Sequence, residues 1–338
     1  MSKMKRINIM TSCDNNLALY ILPQIASIGE SLSGCEVYFY LFHNRIKQEN
    51  ISFIKNYAEA FANIKFHEIF IENTAPYEEF AKHGGNFPYE AYLYFLCHEH
   101  LPESMDRILY IDAADIIING NIDEYYFADF EGKAMVATHN RLKTDQFFNH
   151  TVFEKEDMLN LVNLKSILRG AMNSGSFVIN LENFRERNLT ENNYYSILHL
   201  IREIIPNTEE LYYGDQGLFS VAFVGEVKYF GAEGSVIKNT LFKPYNCVAS
   251  FSENLLPPPI ICHFAAAKYK PWEARVSPDI LERFKDYSVE NIINHIYRIP
   301  EHFNYFEIWW KYCEKTPIYE DAHIKVNEFT KKIIQDSI

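Results

Sequence analysis

Several signals that would tie a chain to a membrane, a metal knuckle or a nucleic acid are missing here. No stretch approaches the roughly 18 consecutive apolar residues of a membrane-crossing helix, so none is expected. The opening MSKMKRINIMTS carries basic residues but no apolar run long enough for a secretory signal. The six cysteines (Cys13, Cys35, Cys97, Cys247, Cys262, Cys313) are scattered without a CxxC spacing. That fits a reducing compartment better than a disulfide framework or a zinc site. The expected location is the cytoplasm, or the inner face of a membrane. Positive charge is scarce: 32 Lys and Arg stand against 45 Asp and Glu, a net charge of −13. A general nucleic-acid binder needs a basic face, so no nucleic-acid partner is expected. An anionic ligand can still bind where local cations or a metal offset the field. Neither GxGxxG nor a P-loop glycine motif occurs, and there is no internal repeat or low-complexity linker.

What is present is a core. Apolar residues make up 48% and aromatics 15% of 338 residues, enough for one large domain or two. Short apolar runs alternate with amphipathic ones. Arg6 to Ser12, Glu36 to His43 and Ile64 to Ile69 read as strands, and Leu17 to Ser33 and Gln48 to Ala62 as helices. This order predicts an α/β fold, a mostly parallel sheet with helices on its faces. Such sheets bind ligands beyond the carboxyl ends of their strands, so the polar turn Asp14-Asn15-Asn16 marks one edge of a candidate site. Further on, Tyr89 to His100, Glu154 to Arg169, Leu181 to Ile205, Pro278 to Tyr297 and Glu301 to Ile338 read as helices. Gly132 to Thr138, Val227 to Phe230 and Ile260 to His263 read as strands. Asn173 to Asn180 reads as a polar turn leading into a strand.

The most informative stretch is Asp106 to Glu124, DRILYIDAADIIINGNIDE. Its apolar run from Ile108 to Ile118 predicts a strand buried on both faces. Asp112 and Asp115 interrupt that run. A buried carboxylate without a partner costs several kcal/mol or turns neutral. A hard divalent cation removes that cost and can hold substrate phosphates. The alternative is that the two aspartates only end a strand and cap a turn. A second stretch, Ile260 to Trp272 (IICHFAAAKYKPW), delivers His263 from an apolar strand, followed by Lys268 and Lys270. A neutral imidazole can ligate a metal, and a lysine can meet a phosphate as a point charge. Together the two stretches suggest an Asp/Asp/His metal site carrying a diphosphate. Asp215 and Gln216, in YYGDQGLFSV, stand at the start of an apolar helix, where Asp also suits an N-cap.

Five motifs in order resemble glycosyltransferase family 8: TSCDNN (Thr11 to Asn16), RILYIDAADIII (Arg107 to Ile118), NSGSFVINL (Asn173 to Leu181), GDQG (Gly214 to Gly217) and HFAAAKYKPW (His263 to Trp272). The resemblance runs from Ile7 to about Trp272. It implies a GT-A, Rossmann-like nucleotide-diphospho-sugar transferase domain over residues 1–275, with a C-terminal helical extension over 276–338. It implies a UDP-sugar donor, Mn²⁺ (Mg²⁺ being the alternative), and retention of the anomeric configuration. Asp112, Asp115 and His263 match its metal ligands. Thr11, Ser12, Asp14 and Asn16 match its nucleotide loop, Asn173 and Gly175 the pair lining the donor sugar, and Lys270 the diphosphate lysine. Lys268 is the alternative lysine. Asp215 and Gln216 match the residues beside the reacting carbon.

The chain departs from that pattern at four points. DAAD is one residue longer than DxD. Tyr94 stands where an arginine usually contacts the donor sugar, and Asn16 where a ring often stacks on uracil. Ala266 or Ala267 stands where a glycine is expected. The expected reaction moves a hexose, galactose or glucose, to a cell-surface glycan, glycolipid or glycoprotein in bacterial polysaccharide biosynthesis. The acceptor hydroxyl would attack on the face the leaving group departs from, with the departing phosphate taking its proton. A UDP-sugar hydrolase and a catalytically silent sugar-nucleotide binder are the alternatives. In the C-terminal extension FEIWWKYCEK (Phe306 to Lys315) reads as a helix packed on the main domain. Weak peripheral membrane contact through such helices is the other reading, and the polar face lacks the Lys/Arg excess it calls for.

Overall fold

The computed structural model describes residues 4–85, 87–139, 172–204, 214–230, 242–244, 260–264, 270–273 and 306–337. Its strands in chain order are β1 (Lys5–Ser12), β2 (Cys35–His43), β3 (Ile64–Phe70), β4 (Arg107–Ile111), β5 (Ile116–Ile118), β6 (Met135–His139), β7 (Met172–Asn180), β8 (Val227–Tyr229), β9 (Phe242–Pro244) and β10 (Ile261–His263). Seven of them form a central sheet in the order β3-β2-β1-β4-β7-β6-β8, and β5-β10-β9 form a second, small sheet. The central pairings are parallel, except that β7 runs antiparallel to β4 and β6.

Alternation along each strand divides the interior into two cores. Ile7, Ile9, Val37, Phe39, Leu41, Leu109 and Ile111 face one way, under the helices Leu22–Ser31, Gln48–Glu59 and Phe306–Cys313. Met10, Tyr40, Phe42, Ile108, Tyr110, Phe177 and Ile179 face the other, under Ala75–Ala81, the 3-10 helix Tyr89–Glu99, and the helices Leu181–Glu186, Glu191–Ile204 and Gly214–Ala222. Both faces are covered, which is why these strands read as apolar runs rather than alternating ones.

Several elements differ from the sequence reading. The run Ile108 to Ile118 is not one strand: it ends in the central sheet at Ile111 and resumes in the small sheet at Ile116. Asp112 to Asp115 is the turn between the sheets, and Ala114 adopts φ +62° there. Asn173 already lies inside β7. Leu17 to Ser33 is a 3-10 turn (Ala18–Ile21) followed by the helix Leu22–Ser31, and Tyr89–Glu99 is 3-10 rather than α. Leu181 to Ile205 breaks where Asn188 takes φ +50°, a conformation asparagine tolerates better than most residues. Glu301 to Ile338 divides into Phe306–Cys313 and Tyr319–Ser337. Glu154 to Arg169 and Pro278 to Tyr297 lie outside the described residues.

The Phe306–Cys313 helix is a packing helix. Phe306, Trp309, Trp310 and Cys313 are fully buried in the first core, against the Leu22–Ser31 helix. No helix among the described residues is long and apolar enough to cross a membrane.

Candidate active site

Asp112, Asp115 and His263 meet because two sheets end at the same place. β4 and β7 pair as far as Ile111 and Ser176, and the Asp112 amide then donates to the Gly175 carbonyl (2.9 Å). β10 lies antiparallel to β5 in a register that sets His263 opposite Ile116. That brings the imidazole beside Asp115, and the Phe264 amide donates to the Asp115 carbonyl (3.0 Å). One ligand atom from each of the three side chains falls within 4.8 Å of the others. His263 Nε2 is 3.3 Å from Asp112 Oδ2 and 3.6 Å from Asp115 Oδ2. A methyl group on Gly175 would overlap the His263 ring, so the glycine leaves the room that the imidazole fills. Lys270 Nζ lies 2.5 Å from Asp115 Oδ2 and donates to the Phe264 carbonyl (2.9 Å).

The cluster balances its buried carboxylates with its own cations. Burial alone makes His263 harder to protonate, but its contacts with Asp112 and Asp115 outweigh this and hold it at about 8. Burial pushes Asp115 up, and Lys270 and His263 reverse that, bringing it to about 2. A proton on His263 and the Lys270 ammonium thus neutralise the two carboxylates. Even so, Asp115 Oδ1 is buried with no hydrogen-bond partner among the described residues. An orphaned carboxylate oxygen is costly, and a bound cation is one remedy. The residues fit a divalent ion. The carboxylates suit Mn²⁺ or Mg²⁺, and the imidazole adds a nitrogen that oxygen-seeking Mg²⁺ uses less readily.

Asp215 and Gln216 stand next to this cluster, in the first turn of the Gly214–Ala222 helix. Gly214 starts that helix at φ +58°, and its amide donates to the Gly84 carbonyl (2.9 Å). The Tyr94 hydroxyl donates to Asp215 Oδ2 (2.8 Å). Burial, and then the charge of Asp112, push Asp215 up to about 7. Gln216 Oε1 accepts from the Ser174 amide (3.3 Å), and Asn173 Oδ1 from the Gly175 amide (2.9 Å). The β7 segment therefore links the Asp112–Asp115–His263 cluster to Asp215 and Gln216.

The first loop is brought to the same end of the sheet by the parallel pairing of β1 with β4. Thr11 and Ser12 are buried at the carboxyl end of β1, and Thr11 Oγ1 has no partner among the described residues. Asp14 is occupied in holding the turn: its Oδ1 accepts from the amides of Asn16 (2.9 Å) and Leu17 (3.1 Å), and its Oδ2 from the Asn16 side chain (2.9 Å). Asn16 itself is exposed. Tyr94 is fully buried behind Asp215 rather than lining open space. Lys268, Ala266 and Ala267 lie outside the described residues.

Two residues at the site were not singled out from the sequence. The Tyr110 hydroxyl donates to Asp112 Oδ1 (3.0 Å), and its ring centroid is 4.4 Å from that of Tyr94. Gln24 is fully buried, and its amide donates to the carbonyls of Asp112 (2.8 Å) and Ile116 (3.1 Å), spanning the turn. A glutamine inside a stretch as apolar as Leu22 to Ile28 was the available signal, because a buried amide must find partners.

A mostly parallel sheet that gathers a carboxylate–imidazole cluster beyond a central strand, beside the first strand–helix loop, places it where open α/β sheets bind their ligands. The sequence matches glycosyl transferase family 8 over residues 8–275, and the chain belongs to that family. Comparison with curated protein sequences finds no match. Among solved structures, the galactosyltransferase LgtC in complex with donor and acceptor sugar analogues superposes with a TM-score of 0.56 at 19% identity, over 79% of this chain and 89% of LgtC. The bifunctional glycosyltransferase WbbM gives 0.59 at 14% identity, over 96% of this chain and 52% of WbbM. The glycosyltransferase GlyE of Streptococcus pneumoniae gives 0.55 at 17% identity, over 98% of this chain and 64% of GlyE. The fold is the GT-A fold, and the protein is a glycosyltransferase.

Proposed function

We propose that this protein moves a hexose, glucose or galactose, from a UDP-sugar to a hydroxyl of a glycan, glycolipid or glycoprotein, with Mn²⁺ and with retention of configuration. The observation that carries this reading is the convergence of Asp112, Asp115, His263 and Lys270 beside Asp215 and Gln216. LgtC, a galactosyltransferase of the same fold, supports a hexose donor. The five described cysteines are unbridged, which accords with work on the cytoplasmic side, at the inner face of the membrane if the acceptor is a lipid.

Asp112, Asp115 and His263 would hold the metal. When bound, it supplies positive charge against the diphosphate leaving group. Once Asp115 is otherwise engaged, Lys270 can donate to a phosphate oxygen and stabilise charge as the glycosidic bond breaks. Thr11 and Ser12 offer buried hydroxyls at the nucleotide end. Asn173, Gly175 and Gln216 line the sugar end, and Gln216 is oriented by the Ser174 amide. Asp215 is a poor nucleophile, because Tyr94 occupies one of its oxygens and its environment favours the protonated form. That favours attack by the acceptor hydroxyl on the leaving-group face, its proton passing to the departing phosphate oxygen, with Asp215 and Gln216 orienting the donor.

A panel of UDP-sugars, tested by thermal shift with and without Mn²⁺ and then by UDP release with and without acceptor, tests the reading. The expected result is a Mn²⁺-dependent shift with a UDP-hexose, release that depends on acceptor, and an α product. Release without acceptor would make it a hydrolase, binding without turnover a silent binder. A β product would overturn retention.

A further inference from the structure

The turn that carries both metal-ligand aspartates is held by a helix far from it in sequence. Trp309, fully buried in the Phe306–Cys313 helix, donates its indole N–H to the carbonyl of Ala114 (3.1 Å). Ala114 is the residue at φ +62°. An L-residue in that region is strained, and it persists only where its surroundings leave no alternative. Here the surroundings are identifiable. Gln24 fixes the carbonyls of Asp112 and Ile116, the Gly175 carbonyl fixes the Asp112 amide, and the Phe264 amide fixes the Asp115 carbonyl. Trp309 donates to the strained residue itself.

The same helix reaches two more parts of the site. Tyr312, one turn on and on the same helix face, donates to Asn119 Oδ1 (3.3 Å) just past β5. The Trp309 ring lies 6.0 Å from that of Trp272, which stacks on Tyr20 at 5.9 Å. Trp272 follows Lys270 by two residues, so one indole braces both the aspartate turn and the segment that delivers the lysine.

The geometry points to Trp309 as a positioning residue for the metal site, and to the C-terminal extension as part of the catalytic apparatus. The residues matching the family end at 275, so this brace lies outside the matched region. Trp309 is not one of the clustered ligand side chains. It sets the distance between Asp112 and Asp115 by holding the left-handed residue between them. The inference rests on the metal reading given above.

The test is Mn²⁺ binding by the full chain, measured by calorimetry or by the loss of the free-ion electron paramagnetic resonance signal, without any sugar nucleotide. Trp309→Phe keeps a ring in the core and removes the N–H. Trp310→Phe is the comparison: Trp310 is equally buried in the same helix and meets Trp309 edge-on at 5.2 Å, with Tyr319 and His323 beyond it, so this variant reports a packing loss beside Trp309 with the Trp309 N–H kept. Thermal melts of both variants report the packing loss. The expected result is a roughly ten- to hundredfold weaker Mn²⁺ affinity in Trp309→Phe, as for other groups that orient metal ligands, and near wild-type affinity in Trp310→Phe at a comparable melting temperature. Wild-type affinity in Trp309→Phe, or an equal loss in both variants, overturns the positioning role alone. No Mn²⁺ binding by the wild-type chain overturns the metal reading, and this inference with it.

Discussion

Tyr94 donates its hydroxyl proton to Oδ2 of Asp215 across 2.8 Å, in a site where Tyr94 is fully buried and Asp215 nearly so. The phenol is held in place by the rings of Tyr110, Phe177 and Phe219 at centroid distances of 4.4, 5.1 and 4.8 Å. Removing the hydroxyl leaves a buried acceptor short of a donor, at a cost of about 1–3 kcal/mol. The Tyr94 bond also lowers the pKa of Asp215, so its loss moves that pKa further up. Tyr94→Phe should therefore fold, melt in less denaturant, and show a pH–rate profile whose acid limb has moved to higher pH. An unmoved profile would remove the Asp215 carboxylate from the reaction.

Gly175→Ala tests whether His263 is a ligand. The glycine has no positive φ, so the backbone accepts alanine, and the harm comes only from overlap with the imidazole. Overpacking of this kind costs about 1–3 kcal/mol. Mn²⁺ affinity measured by titration should fall at least about tenfold, as it does when a ligand is held off its geometry. Unchanged affinity would exclude His263 from the metal.

The metal-free protein should lose stability as pH rises through the neutral range. His263 is raised from 6.5 to about 8, so its stabilisation is complete below 6.5 and disappears as pH rises through 8. Asp215 is raised from 3.8 to about 7, so a penalty absent below 3.8 grows until pH passes 7. The two effects have the same sign. The histidines that burial makes harder to protonate (His43, His67, His98 and His100) act the other way, but only up to about pH 6.5. Melting temperatures of chelator-treated protein should fall from about pH 7 to 9. Metal binding must displace the His263 proton, so Mn²⁺ affinity should rise with pH and level off above about 8. A pH-independent affinity would mean that His263 binds no metal.

Lys270→Ala should lower kcat by roughly a hundredfold while changing the donor KM much less, because charge grows on the leaving group only as the bond breaks. In the metal-free chain it should also weaken acid resistance, since Lys270 is the largest of the groups holding Asp115 down to about 2. Lys268→Ala is the comparison. A kinetic defect confined to Lys268→Ala would transfer the phosphate role to that residue.

The family and the residue types of the site were legible because both are written in local order. Apolar runs alternate with amphipathic helices, and the aspartate pair, the histidine and the lysine each stand just after an apolar run that needs burial. What the linear order hides is where a continuous apolar run is cut. Ile108 to Ile118 looks like one strand because both of its halves are buried, and burial is all that an apolar run records. Only the pairing of β4 with β7 and of β5 with β10 divides it between two sheets and makes DAAD a turn with Ala114 at φ +62°.

The sequence by itself determined the sheet, its buried strands and the chemical groups available for a metal and a diphosphate, since hydrophobic period and residue type act within a few neighbours. Tertiary structure alone decided how those groups stand toward one another. Tyr94 reaches Asp215 across 121 positions, Gln24 reaches Asp112 across 88, and Trp309 reaches Ala114 across 195. Hydrogen bonds over such separations exist only after the sheets have closed, because nothing in the intervening chain fixes their distance.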